Sequence, residues 1–310
     1  MSHTADESQA AAAAEARTRI GFVGLGAMGG RIAGRLLDAG HPVSATNRTA
    51  AKAQPLIERG LAWLSTAREV AASTDVVLSM VTDDEALEAI TTGPHGLLAG
   101  LEPGQVYVDM STVSPHASRR LAERVRAIDA HMLDAPVSGS IKTLEDGQLA
   151  VLVGGDRAAF ERIEPLLREI GPKVTFVGGN GAALVLKLAI NLSLVVQVMS
   201  FCESVAVAEK YGIERQAAVD AILNSVIASP VLGYRGPFVV PENRPETAWS
   251  DVKLQQKDQQ LGLGLARSLG AAVPFASLGD QFLTATRAAG LGHLDFAAAY
   301  EVFAAKGGIE

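Results

Sequence analysis

Lys187 and Asn191 interrupt a run of Leu, Val and Ala between Ala182 and Cys202. Four residues apart, they share one face of a helix. Hydride delivered to a carbonyl carbon leaves an alkoxide, and an ammonium at such a position can protonate or neutralise it. In the reverse direction the lysine must act as a neutral base against a reference pKa of roughly 10.4, so burial or a nearby cation has to lower that value. Asn191 can orient the ammonium or hydrogen-bond the substrate oxygen. The pair also has a plainer reading, a lysine snorkelling to the surface and an asparagine bonding between helices. A second constellation, PVSGS, offers the hydroxyls and backbone N–H groups of Ser138, Gly139 and Ser140. Such a set can cradle a carboxylate, or be an ordinary turn.

The hydride source is written in RIGFVGLGAMGGRIAGRLLDAG. Gly24-Leu25-Gly26-Ala27-Met28-Gly29 follows an apolar strand and opens a helix. Gly24 allows the tight turn, Gly26 lets backbone approach a pyrophosphate, and Gly29 lets helix and strand pack closely. The helix N-terminus then offers unpaired N–H groups and a positive dipole end to phosphates. Dinucleotide binding follows, because strand, helix and next strand are all in place. About 20 residues on, a carboxylate would grip a ribose 2′-OH. The chain has Asn47, Arg48 and Thr49 there. With no acid to repel a 2′-phosphate, and Arg48 able to bind one, the predicted cofactor is NADP(H).

These groups need a scaffold of alternating elements. Apolar runs at Arg19–Gly24, Pro42–Thr46, Val76–Met80, Val106–Asp109, His131–Asp134, Leu149–Val153 and Val174–Val177 read as strands. Amphipathic helices at Met28–Ala39, Asp84–Ile90, Pro115–Ile128 and Ala158–Ile170 lie between them. After Gly178 the strand signals stop, and helices are predicted at Ala182–Tyr211, Glu214–Leu223, Asp251–Leu269, Val273–Ala288 and Leu294–Phe303. The predicted fold is α/β: a doubly wound Rossmann domain over residues 17–180, then an all-α domain over 181–310. Residues 1–16 read as a disordered tail. The active site is expected in the cleft between the domains, and the Pro-rich stretch 229–249, with Tyr234, Arg235 and Trp249, as a place where specificity could be shaped.

Composition removes other classes. The 310 residues carry 27 basic and 34 acidic side chains, a net charge of −7 with no basic run, which argues against nucleic acid. The single cysteine, Cys202, excludes an intrachain disulfide and a thiolate cluster, and fits a reducing cytosol. The six histidines lack ligand spacing, so no metal is predicted. The N-terminus lacks the apolar region of a secretory signal, and a cytoplasmic location is expected. Ala182–Cys202 resembles a membrane span in length, but a lysine at the centre of one costs roughly 2.5–3.5 kcal/mol. A buried helix accounts for it better. Its all-round apolarity predicts a homodimer, or a tetramer, packed through the helical domain.

Several blocks in order, namely the glycine loop, DMSTVSP at 109–115, DAPVSGS at 134–140, GGNGAALVLKLAIN at 178–191 and QQKDQQLGLGLA at 255–266, resemble the β-hydroxyacid dehydrogenase family. The likeness spans residues 19 to about 305. It implies an NADP-dependent reductase of small carboxylate-bearing aldehydes. Lys187 and Asn191 would be catalytic, and Ser138, Gly139 and Ser140 would hold the substrate acid. Thr112 would lie near the nicotinamide, Met80 and Val81 beside the adenosine, and Lys257 would reach the cofactor, with Asp258 as its ion-pair partner. Within the family, PVSGSIKTLEDGQL and Arg48 look most like the glyoxylate and succinic semialdehyde reductases, ahead of 3-hydroxyisobutyrate or tartronate semialdehyde dehydrogenases. Family members usually have Gly at the positions of Ser140 and Ala183. Imine reductases share the architecture and the NRT signature but usually lack the lysine. A nucleotide-binding protein without catalysis would lack Lys187 or Asn191.

Overall fold

The computed structural model describes residues 17–308, so the expected tail 1–16 lies outside the described residues. Two units emerge, the first ending at Lys187 and the second beginning at Leu188. The division falls inside one helix, seven residues beyond the end expected from sequence for the first domain.

The first unit is built on β1 (Ile20–Val23), β2 (Val43–Thr46), β3 (Ala62–Trp63), β4 (Val76–Ser79), β5 (Val106–Asp109), β6 (His131–Asp134), β7 (Val137–Ser138), β8 (Ala150–Gly155) and β9 (Lys173–Gly178). Their order is β3-β2-β1-β4-β5-β6-β8-β7, with β9 paired to β8. Strands β1 to β6 pair in parallel, β8 runs antiparallel to β6 and β7, and β9 is parallel to β8. The 3-2-1-4-5-6 run is that of a doubly wound dinucleotide fold, with its switch point between β1 and β4. Side chains of β1, β4 and β5 are buried along their whole length because both sheet faces are covered. Ile20, Phe22, Leu78 and Val108 enter one hydrophobic cluster, and Val23, Val77 and Tyr107 the other.

Helices α1 (Gly29–Asp38), α2 (Asp84–Thr91), α3 (Pro115–Arg126) and α4 (Arg157–Ile170) cover those faces. The side chains of Asp83, Ser114 and Asp156 cap α2, α3 and α4 by accepting backbone N–H bonds. Met28, at the start of α1, makes no such bond. Of these four helices, the one that follows the glycine loop starts without a side-chain cap.

Helix α5 (Ala182–Tyr211) runs from the first unit into the second, with the bounds expected from sequence. It is long and apolar enough to cross a membrane by length and composition. Val195, Val198, Phe201, Cys202 and Val205 instead pack in the second unit's core with Val219, Leu283, Phe296 and Tyr300. Burial pushes the Cys202 thiol up, as suits an inert hydrophobe. Around α5 stand α6 (Arg215–Leu223), α7 (Val252–Leu269), α8 (Pro274–Ala288) and α9 (Tyr300–Gly307). The helix expected at Leu294–Phe303 is a 3₁₀ turn, Phe296–Ala299, leading into α9, because Asp295 caps the turn through Ala297. The Pro-rich stretch contains a short helix, Pro230–Arg235. Arg235 there is 4% exposed and 2.7 Å from the fully buried Asp295, with its guanidinium 4.4 Å above Phe296. Breaking such a pair costs about 3–5 kcal/mol, so this arginine serves the fold.

Candidate active site

At the switch point, the glycine loop is dictated by its neighbours. Gly24 has φ +101°, and a Cβ on it would stand 2.3 Å from the Met80 carbonyl oxygen and 3.3 Å from Val81. The turn thus needs glycine, and Gly24, Met80 and Val81 come together at the ends of β1 and β4. A Cβ on Gly29 would stand 2.1 Å from the Gly24 oxygen, so α1 rests directly on the turn. Gly26 differs: nothing lies within 4 Å of where its Cβ would be. Packing does not require glycine there, but a phosphate approaching the backbone does. An exposed Gly26 beside the uncapped start of α1 fits a dinucleotide's pyrophosphate.

Asn47 works as a brace. Its Oδ1 accepts from the Leu25 N–H at 3.0 Å, and its Nδ2 donates to the Thr49 oxygen at 2.9 Å. The end of β2 is thereby tied to the loop, and Arg48 and Thr49 are left exposed beside it.

A buried network that the motifs do not reveal joins the ends of β4 and β5. Asp109 Oδ1 accepts from the Ser79 hydroxyl at 2.8 Å, the Ser111 hydroxyl at 2.6 Å and the Ser111 N–H at 3.2 Å. The Ser111 oxygen in turn accepts from the Val81 N–H at 2.9 Å. Val81 and Ser111 are therefore tied together, and the half-buried Thr112 follows directly in the chain. Burial pushes the Asp109 carboxyl up to about 6, partly opposed by the bonds from Ser111 and Ser79. A single Asp and Ser in otherwise apolar strands was the available sign.

In the expected cradle, Ser138 is half-buried and Gly139 exposed with φ +141°. Ser140 is 5% exposed and belongs to a capping box for the short helix Ile141–Glu145. Its hydroxyl accepts from the Thr143 N–H at 3.4 Å, and its own N–H donates to Thr143 Oγ1 at 3.2 Å. The Ser140 N–H and one lone pair of its oxygen thus serve the helix, while Ser138 and Gly139 are the more exposed groups of the loop. The pattern Ser-x-x-Thr was the signal.

On α5, Lys187 is half-buried and Asn191 buried. In the second unit Asn191 Nδ2 donates to Asp258 Oδ2 at 2.8 Å, and Lys257 Nζ stands 2.7 Å from Asp258 Oδ1. Asp258 thus gathers both side chains, a larger role than the ion pair with Lys257 expected from sequence. Among the described residues, no group of three or more His, Cys, Asp or Glu could hold a metal ion.

Residues 19–179 match the NAD binding domain of 6-phosphogluconate dehydrogenase, and residues 181–303 match the NAD-binding domain of NADP-dependent 3-hydroxyisobutyrate dehydrogenase. The chain belongs to the β-hydroxyacid dehydrogenase family. It is 35% identical over 288 residues to glyoxylate/succinic semialdehyde reductase 2, chloroplastic, of Arabidopsis thaliana, which covers 92% of this chain and 79% of that one. Among solved structures, the 3-hydroxyisobutyrate dehydrogenase of Mycobacterium tuberculosis with L-serine superposes with a TM-score of 0.81 at 28% identity, over 92% of this chain and 99% of that one. The protein Psf3, in complex with NADP+ and 2-OPP, superposes with a TM-score of 0.83 at 26% identity, over 91% and 99%. As a β-hydroxyacid dehydrogenase family member, this chain is an NAD(P)-dependent oxidoreductase acting on CH–OH and C=O groups.

Proposed function

We propose that this protein reduces small carboxylate-bearing aldehydes, of the glyoxylate and succinic semialdehyde kind, to hydroxy acids, using NADPH in preference to NADH. The observation that carries the reading is the helix α5 pair: Lys187 and, one turn on, an Asn191 whose amide nitrogen is committed to Asp258. The relative from Arabidopsis thaliana, named for the same two aldehydes, supports the substrate class.

When bound, the cofactor supplies the hydride. Lys187 donates a proton to the carbonyl oxygen and stabilises the charge developing on it. With one Nδ2 hydrogen on Asp258, the Asn191 amide keeps its carbonyl oxygen to accept from the lysine ammonium and a second N–H to meet the substrate oxygen. Ser138 and the Gly139 N–H hold the substrate carboxylate. The glycine loop and the open end of α1 take the pyrophosphate, and Arg48 and Thr49 the 2′-phosphate. Thr112, Met80 and Val81 line the rest of the cofactor path, and Lys257 contributes a cation to it. Two copies pack through their helical units in the cytoplasm: Val207, Tyr211, Val226 and Phe275 are at least 72% exposed and need cover.

Initial rates of cofactor oxidation over glyoxylate, succinic, tartronate and methylmalonate semialdehydes and a cyclic imine, with NADPH and NADH in parallel, test the reading. Turnover of one or more of the acids with NADPH preferred is expected. Faster reduction of the imine, equal use of both cofactors, or no turnover of any acid would overturn it.

A further inference from the structure

We propose that Asp134 positions the proton donor: its carboxylate docks the first turn of α5 on the end of β6, fixing Lys187 relative to the Ser138–Gly139 cradle. The inference rests on the proposed role of Lys187.

The first N–H groups of any helix lack intrahelical partners. For α5 the acceptor comes from 47 residues away, where Asp134 Oδ1 receives the Gly181 N–H at 2.7 Å. Asn180 adds a second strap, its Nδ2 donating to the Met132 oxygen at 2.9 Å and standing 3.5 Å from Asp134 Oδ1. Ala183 and Leu184, two and three residues on, are fully buried. The helix start is therefore pinned to β6 by a carboxylate, not simply laid against the sheet.

Space for this contact is made by β8. A Cβ on Gly154 would stand 2.8 Å from Asp134 Oδ2, 2.9 Å from the Gly179 oxygen and 3.1 Å from the Ala183 nitrogen. Any side chain there would push carboxylate and helix apart.

Asp134 is also the root of the cradle. It ends β6, and the chain runs through Ala135 and Pro136 into β7, whose last residue is Ser138. Lys187 lies six residues after Gly181, about 9 Å along the helix at 1.5 Å per residue. One buried side chain thus stands at the base of the loop that would hold the carboxylate and of the helix that would deliver the proton. A shift of about 1 Å between two such elements is enough to cost about a hundredfold in rate.

The test compares Asp134→Ala, Asp134→Asn and Gly154→Ala, each also combined with Lys187→Ala. Asp134→Ala and Gly154→Ala should lower kcat by about 10- to 100-fold, with the NADPH dissociation constant from fluorescence titration moving less than about twofold. Asp134→Asn retains an acceptor oxygen for Gly181 and should stay within about threefold of the parent kcat. In the Lys187→Ala background, adding Asp134→Ala or Gly154→Ala should cost less than about twofold more, since the positioned group is already gone. Full multiplicative losses in that background, or an unchanged kcat in both Asp134→Ala and Gly154→Ala, would overturn the inference. If Asp134→Ala does not fold, Gly154→Ala decides. Should Lys187→Ala alone keep its kcat, the reading of Lys187 fails, and this inference with it.

Discussion

Asp109→Asn probes the network that ties Val81 and Ser79 to Ser111. The Asp109 carboxyl is fully buried, and its pKa is lifted from 3.8 to about 6, with Asp134 on the neighbouring strand adding to the rise. Because the folded value lies above the unfolded one, the native chain holds the proton longer. Stability then falls as pH rises through the window from about 4 to 6, where the folded state binds the extra proton. Above that window the carboxylate costs about 3 kcal/mol, at about 1.36 kcal/mol per pKa unit. Asparagine keeps the oxygen that accepts from Ser79 and Ser111 and cannot ionise. Its amide nitrogen replaces Oδ2, which has no hydrogen-bond partner, so the variant carries a penalty of about 1–3 kcal/mol that does not change with pH. Relative to Asp109→Asn, the parent protein should therefore lose about 3 kcal/mol between about pH 4 and pH 7, or about 6–12 °C in unfolding midpoint for a unit of this size. Thermal unfolding followed by circular dichroism at half-unit pH steps reads the difference directly. Melting curves separated by the same interval at every pH would refute the reasoning.

Replacing Gly26 by Ala should leave the unfolding midpoint unchanged, since nothing lies within 4 Å of the new Cβ, yet weaken NADPH binding. A variant that binds as the parent does would contradict the assignment of the loop. Arg48→Ala should reduce the preference for NADPH over NADH by about tenfold to over a hundredfold, the value of about 1.5–3 kcal/mol for a hydrogen bond to a charged group; unchanged kcat/KM ratios would count against it. Light scattering at micromolar concentration should find a dimer that Val207→Asp weakens, and a stable monomer in the parent protein would remove the proposed interface.

What the chain's order made legible was local. The glycine loop could be read because the spacing of Gly24, Gly26 and Gly29 and the strand and helix that flank them are all local in the chain, although the Met80 carbonyl that crowds Gly24 is not. Helix α5 could be placed to the residue because a continuous apolar run admits few alternatives. Less legible were the groups whose meaning depends on distant partners. Asp109 meets Ser79 across 30 residues, Asn191 meets Asp258 across 67, and Arg235 meets Asp295 across 60. The Asn47 amide also braces the glycine loop through Leu25, and the Ser140 hydroxyl also caps a helix through Thr143, partners that the sequence order alone does not show. Short polar side chains beside turns can serve backbone or ligand equally well in composition, and only tertiary placement separates the two.

The central claim, that Lys187 serves the chemistry and not the cofactor, is tested most directly by Lys187→Ala under saturating NADPH and the best substrate of the panel. A group acting as general acid contributes about 10²–10⁴-fold, so kcat should fall by that much while the NADPH dissociation constant, read by fluorescence titration, changes little. A variant that keeps near-full kcat, or one that loses NADPH binding altogether, would contradict the account.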